Sequence, residues 1–186
     1  TLLPNKIIEW IPYNNLQDIS YLTEGGFSKI YKASWIDGYY IEWDSKKQQL
    51  KRFGNQNVVL KKLENIENAS NSWFEEVKSH LTISNKWPLI VNCYGLTQDP
   101  SNGNFMLVLN EMDVNLREYL QQNHNQLTWK ERIQIAVGII YALDDIHTED
   151  AIHRDLHSGN ILHSARSYRF FISDLGFCGP ADKPLK

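Results

Sequence analysis

The sequence predicts an α+β chain in two parts: a β-rich first part that carries one helix, then a helix-rich second part. Three observations predict it. Short β-branched and aromatic runs separated by turn residues fill residues 19–62 and return at 89–109. A single helix-like stretch, 71–84, interrupts them. After Met112 the apolar spacing becomes helical, most strongly over 128–147.

Bulk composition narrows the classes further. The 186 residues are 42% hydrophobic and 22% charged, which is globular and not disordered. A chain this long can bury about 70% of its unfolded surface. The net charge of −3 shows no basic excess directed at nucleic acid or an anionic membrane. The longest nearly unbroken apolar run, Ile135 to Leu143, is far below the ~20 residues of a membrane span. Lys6 and Glu9 interrupt any signal-peptide pattern. Two cysteines, Cys93 and Cys178, make no disulfide framework and fit a reduced, cytoplasmic setting.

In chain order, residues 1–15 read as a lead-in with little periodicity, holding Pro4, Pro12 and Asn14-Asn15. Strands then flank a Gly25-Gly26 pair. Ser34 to Phe53 reads as a long hairpin turning at Asp44-Ser45. Val58-Val59-Leu60 reads as a buried strand. In 71–84, Trp73, Phe74, Val77 and Leu81 share one helical face. Leu89–Leu96 and Phe105–Leu109 read as strands joined by the polar loop 98–104. Leu116–Gln122 reads as a short helix. Thr128 with Glu131 forms a capping box that opens a helix to about His147, apolar at Ile133, Ala136, Val137, Ile140, Tyr141 and Leu143. Ile161-Leu162 and Phe170–Ile172 read as short strands.

The strongest chemical signal is His153-Arg154-Asp155-Leu156-His157-Ser158-Gly159-Asn160, followed at a short interval by Ser173-Asp174-Leu175-Gly176. The two segments resemble the catalytic loop H-R-D-L-x-x-x-N and the metal-binding turn D-F-G of eukaryotic protein kinases. Upstream, Leu22 to Tyr31 resembles the glycine-rich loop over ATP, and Val58-Val59-Leu60-Lys61 the V-A-I-K strand. Phe105 to Met112 resembles the fifth strand and hinge. The resemblance covers residues 16–186 and is nearest to the tyrosine-kinase-like serine/threonine branch, especially its large fungal expansions.

The resemblance implies a protein-kinase-like fold. Residues 1–15 are an N-terminal extension, 16–112 an antiparallel β lobe with hinge, and 113–186 part of a mostly helical lobe. It implies ATP and Mg²⁺ as cofactors and a protein hydroxyl as acceptor. Asp155 would be the base, Lys61 would position the phosphates, and Asn160 and Asp174 would hold metal through hard oxygens. Glu76, chosen over Glu75 for its place beside the apolar face, would orient Lys61. Arg154 would couple the loop to the activation segment. The nucleotide would lie against Thr23, Glu24, Gly25, Gly26, Phe27, Ser28, Ile30, Val59, Leu109, Glu111, Met112 and Leu162, with Leu109 as gatekeeper.

The sequence departs from the family pattern in four ways. Of the three loop glycines only Gly25 is kept, with Thr23 and Ser28 in place of the others. Leu175 replaces the phenylalanine of D-F-G. His157 stands where serine/threonine kinases carry lysine. The chain stops ten residues after Gly176, before any A-P-E motif. The apolar face of the 128–147 helix is therefore expected to be exposed or covered by a partner. Two other readings stay open: a nucleotide-binding, non-catalytic regulatory module, and a small-molecule phosphotransferase with an H-x-D-x-x-x-x-N loop. A zinc site from His153, His157 and His163 lacks the H-E-x-x-H glutamate.

Overall fold

The computed structural model describes residues 3–25, 28–63 and 72–182. Gly26 and Phe27 of the glycine-rich loop, and the side chains of Trp73 and Glu75, lie outside the described residues. The chain divides into two compact units, residues 1–73 with 92–111, and 74–91 with 112–186. The α+β reading holds.

The first unit is a six-stranded sheet. Its strands are β1 (Glu9–Trp10), β2 (Leu16–Gly25), β3 (Ser28–Trp35), β6 (Gln56–Lys62), β7 (Cys93–Gln98) and β8 (Phe105–Asn110), in the order β1-β7-β8-β6-β3-β2. Only β1–β7 is parallel. A strand alternates its side chains between two faces. One face is the core, with Trp35, Val58, Leu60, Tyr94, Met106 and Val108 buried together with Ile11 and Leu16.

The lead-in is more than a tether. Ile11 is fully buried, and β1 pairs with β7 at Gly95 and Leu96. A β-carbon at Gly95 would overlap the Glu9 carbonyl, so only glycine admits this pairing. The hairpin expected over Ser34 to Phe53 forms over a shorter span, β4 (Tyr40–Asp44) with β5 (Gln49–Arg52), as a separate two-stranded sheet, while Ser34 and Trp35 end β3. The Asp44 carboxylate caps its turn, accepting from the Lys46 and Lys47 N–H groups. Arg52 ties the hairpin to the lead-in through a bidentate bond to Glu9, 2.6 and 3.1 Å, and a bond to the Tyr40 hydroxyl at 2.7 Å.

The second unit holds most of α1 (Ser72–Ser79), which runs on into a π-helical turn at His80–Ser84. It also holds β9 (Val114–Asn115), α2 (Leu116–Asn123), α3 (Trp129–His147), β10 (Ile161–Ser164) and β11 (Arg169–Ile172). Val77 of α1 is buried, whereas Phe74, placed on the same face by its spacing, is exposed. The capping box is formed. The Thr128 Oγ1 accepts from the Glu131 N–H at 3.3 Å, and the Glu131 carboxylate accepts from the Thr128 N–H at 2.7 Å, an arrangement that stabilises a helix by about 1 kcal/mol. The core gathers Ile83, Ile90, Ala142, Ile146, Ile172, Leu175 and Cys178.

One strand expectation changes. The apolar run 89–96 is shared between the units. Its first half clamps β11, with Val91 N–H donating to the Ile172 carbonyl and Ile172 N–H to the Leu89 carbonyl. The strand β7 begins only at Cys93. As expected, α3 carries an exposed apolar stripe, with Trp129 81%, Ile133 59% and Ile140 62% exposed. Among the described residues no helix is long and apolar enough to cross a membrane.

Candidate functional site

In the first unit, strand register sorts the sequence-selected residues by face. Ile30 pairs with Lys61 and Lys61 with Leu107; Lys32 pairs with Val59 and Val59 with Leu109; Thr23 pairs with Ile30. Directly paired residues share a face. Thr23, Ile30, Val59, Lys61 and Leu109 therefore lie together on the face opposite the Trp35 core, with Ser28 two residues from Ile30 on that side. Lys61 is 6% exposed on this face. Glu24 pairs with Lys29 and falls on the other face, so only its backbone belongs with the group. Glu111, at the end of β8, holds Lys32 at 2.6 Å. Gly25 pairs with Ser28.

In the second unit the loop after α3 is built on backbone pairing. Ile152 and Gly179 exchange two hydrogen bonds, 2.9 and 3.2 Å. Arg154 adopts φ +65° and donates to the Pro180 carbonyl. This left-handed backbone, costly for a residue with a β-carbon, turns the chain so that Asp155 faces Asn160. The Asn160 Nδ2 donates to the Asp155 carbonyl at 2.9 Å and reaches its Oδ2 at 3.3 Å. With Nδ2 engaged in this way, Oδ1 of Asn160 is left as an oxygen donor.

Two residues outside the expected set join the loop to the Asp174 turn. The buried His153 donates from Nε2 to the Ser173 carbonyl at 2.8 Å, and its Nδ1 accepts from the Asp155 N–H at 3.3 Å. Ser173 binds the Asn160 carbonyl twice, through N–H at 2.9 Å and Oγ at 3.0 Å. The sequence signal for both was adjacency: His153 opens the first motif and Ser173 directly precedes Asp174.

Asp174 itself is left-handed, φ +57° and ψ +71°, with its Oδ1 accepting from the Gly176 N–H at 3.4 Å. Leu175 is fully buried in the unit core, so the departure from phenylalanine is a packing change. Gly176 lies beside Glu76: a β-carbon there would stand 3.4 Å from the Glu76 Cδ. The Glu76 Oε1 is buried. Leu162, on β10, pairs with Asn115 and Phe171. Met112 precedes β9 in this unit. The His163 ring packs at a tilt against Tyr119 at 4.5 Å and Phe170 at 4.9 Å, and burial lowers its pKa against the opposing pull of Asp113. Among the described residues no group of three His, Cys, Asp or Glu side chains could hold a metal ion, so the three-histidine zinc site does not form there.

The family model described as protein tyrosine and serine/threonine kinase matches residues 16–183. The chain belongs to this protein kinase family. Among its relatives, "Probable serine/threonine-protein kinase kinX" of Dictyostelium discoideum is 24% identical over 187 residues, covering 95% of this chain and 15% of the relative. "RasGEF domain-containing serine/threonine-protein kinase X" of the same organism is 25% identical over 184 residues, covering 99% of this chain and 17% of the relative. "Calmodulin-binding receptor-like cytoplasmic kinase 1" of Arabidopsis thaliana is 28% identical over 171 residues, covering 88% and 32%. The chain thus spans less than a third of the length of these kinases.

Both cysteines of this kinase chain are buried as free thiols. Burial pushes the Cys93 thiol up to about 12, with a backbone hydrogen bond from Gly95 opposing the shift. Burial also pushes Cys178 up to about 12, with the Asp174 carboxylate adding to the shift and Arg154 opposing it. At pH 8 only about one thiol in 10⁴ is then ionised, and the thiolate is the reactive form. Iodoacetamide is expected to label neither cysteine in the native protein and both in guanidinium, read by intact mass. Rapid native labelling would contradict the burial described here.

Proposed function

We propose that the protein is an ATP-dependent protein kinase of the tyrosine-kinase-like branch, from its expanded fungal group. On this reading it transfers the γ-phosphoryl group of Mg·ATP to a serine or threonine hydroxyl. The observation that carries the reading is the bonding of Asn160, whose side chain holds Asp155 while its carbonyl holds Ser173, next to Asp174. One residue thereby registers the candidate base against the candidate metal ligand.

The hydroxyl oxygen attacks the γ-phosphorus, its proton passes to Asp155, and the bond to the β–γ bridging oxygen breaks to release ADP. Asn160 Oδ1 and the Asp174 carboxylate are hard oxygen donors of the kind Mg²⁺ takes. When bound, the ion neutralises phosphate charge. Lys61, a buried cation on the face of Ile30, Val59 and Leu109, serves the phosphates. Glu76 serves to orient it, and Arg154 to hold the activation segment. The faces of Ile30, Val59, Leu109 and Leu162, with the backbone of Glu111 and Met112, serve the adenine. The glycine-rich loop from Thr23 to Ser28 serves the phosphates. A cytoplasmic setting fits the two free thiols, and a partner covering the α3 stripe fits its apolar exposure.

Calorimetric titration with Mg·ATP tests the reading. One saturable site is expected, weakened at least about tenfold by Lys61→Ala and by Asp174→Ala, since each removes a charge-assisted contact. A folded protein that takes up no nucleotide would overturn it. Binding without phosphoryl transfer would instead favour the regulatory nucleotide-binding module.

A further inference from the structure

Within the loop from Asp155 to Asn160, His157 is the side chain that the kinase pattern leaves without a task. Its backbone carbonyl accepts from the Asn160 N–H at 2.9 Å, which any residue could do. Its imidazole is held more specifically. Nδ1 accepts from the Gly159 N–H at 3.0 Å. A ring nitrogen that accepts carries no proton, so the neutral ring bears its proton on Nε2.

Gly159 has to be glycine for this bond to form. A β-carbon there would stand 2.8 Å from the His157 Cε1 and 2.9 Å from Nδ1, closer than β-carbons approach other atoms. The ring's far end lies near the candidate base: Nε2 stands 3.8 Å from the Asp155 Oδ2, the two side chains being 50% and 43% exposed. That separation is longer than a hydrogen bond and within reach of a charge–dipole attraction between the N–H and the carboxylate. Asn160 Nδ2 addresses the same oxygen at 3.3 Å. Both contacts fall on Oδ2 and neither on Oδ1. Arg117 turns to Ser158, its Nε 3.4 Å from Oγ, and Arg154 donates to the Pro180 carbonyl.

We propose that His157 is a positioning residue: gripped by the Gly159 N–H, its imidazole directs Nε2–H at Oδ2 of Asp155. With Asn160, it thereby fixes which carboxylate oxygen accepts the substrate proton. The inference rests on the proposed role of Asp155 as base. His157 acts through Asp155 and not on the phosphates, so its removal affects turnover and not nucleotide affinity.

The test is steady-state kinetics of His157→Ala, His157→Gln, Gly159→Ala and the double variant His157→Ala with Gly159→Ala. His157→Ala is expected to lower kcat about tenfold with KM for ATP unchanged. Gly159→Ala, which displaces the ring without altering it, is expected to do the same. His157→Gln keeps an N–H near the position of Nε2 and is expected to restore kcat to within about threefold of the parent. The double variant is expected to be no worse than His157→Ala, because both changes remove one contact. An unchanged kcat in His157→Ala, a glutamine variant no better than alanine, or additive losses would overturn the proposal. If the parent binds Mg·ATP and transfers nothing, the proposed function fails. The ring is then read directly by long-range ¹H–¹⁵N NMR. A protonated Nε2 whose resonance moves in Asp155→Asn is expected. A protonated Nδ1, or an Nε2 indifferent to Asp155, would overturn the positioning role.

Discussion

Asp155→Asn is expected to lower phosphoryl transfer by about 10²–10⁴-fold, the range that a positioned general base contributes, while Mg·ATP affinity stays within about threefold. The substitution is nearly isosteric. An asparagine oxygen can still accept from the Asn160 Nδ2, which in the parent bonds the Asp155 carbonyl at 2.9 Å and reaches Oδ2 at 3.3 Å. The His153 bridge from the Asp155 N–H to the Ser173 carbonyl runs through backbone on the Asp155 side and is untouched. What the amide lacks is a basic oxygen to receive the hydroxyl proton. The loss therefore falls on kcat, measured with saturating nucleotide. A rise in KM for ATP with kcat preserved would place Asp155 in nucleotide binding and remove it from the proton transfer.

Trp35→Ala is expected to be the most damaging single change to the first unit, destabilising it by about 3–5 kcal/mol. Trp35 ends β3 and is 1% exposed. Its ring lies 5.5 Å from that of Tyr94, and the Arg52 guanidinium stands 5.9 Å above it. It thus packs together the sheet, the hairpin anchor and, through Arg52, the lead-in at Glu9. A loss of that size is a large part of the 5–15 kcal/mol that holds a typical domain. Denaturant unfolding followed by circular dichroism checks it. A shift equivalent to less than about 1 kcal/mol would mean that the core around Trp35 is not the one described.

Local signals were the legible ones. Thr128 and Glu131 announce α3 because a capping box closes within four residues, and Asp44 announces its hairpin because the cap reaches only two and three residues on. The strand β1 was not legible. Two residues with no periodicity pair with β7, more than eighty residues away, and the enabling feature is the missing β-carbon of Gly95. The run 89–96 misleads for a related reason: Ile90 and Cys93 are equally apolar, yet they serve different units.

At the candidate site, residue types and order were readable from the motifs, and alternation along β3, β6 and β8 then collects Ile30, Val59, Lys61 and Leu109 on one face. The bonds that brace the loop were not readable. His153 to Ser173 spans twenty residues. The contact of Gly159 with the His157 ring depends on a turn geometry that no spacing rule specifies. Glu24 shows the limit from the other side: its neighbours belong to the group, and strand alternation turns its side chain away.

The most direct test of the central claim is transfer of label from γ-³²P-ATP to protein hydroxyls, with Asp155→Asn alongside the parent. Label appearing as a serine or threonine phosphoester in the parent and falling about a hundredfold or more in the variant is the predicted result. Bound nucleotide with no label transferred, or equal labelling in Asp155→Asn, would contradict it.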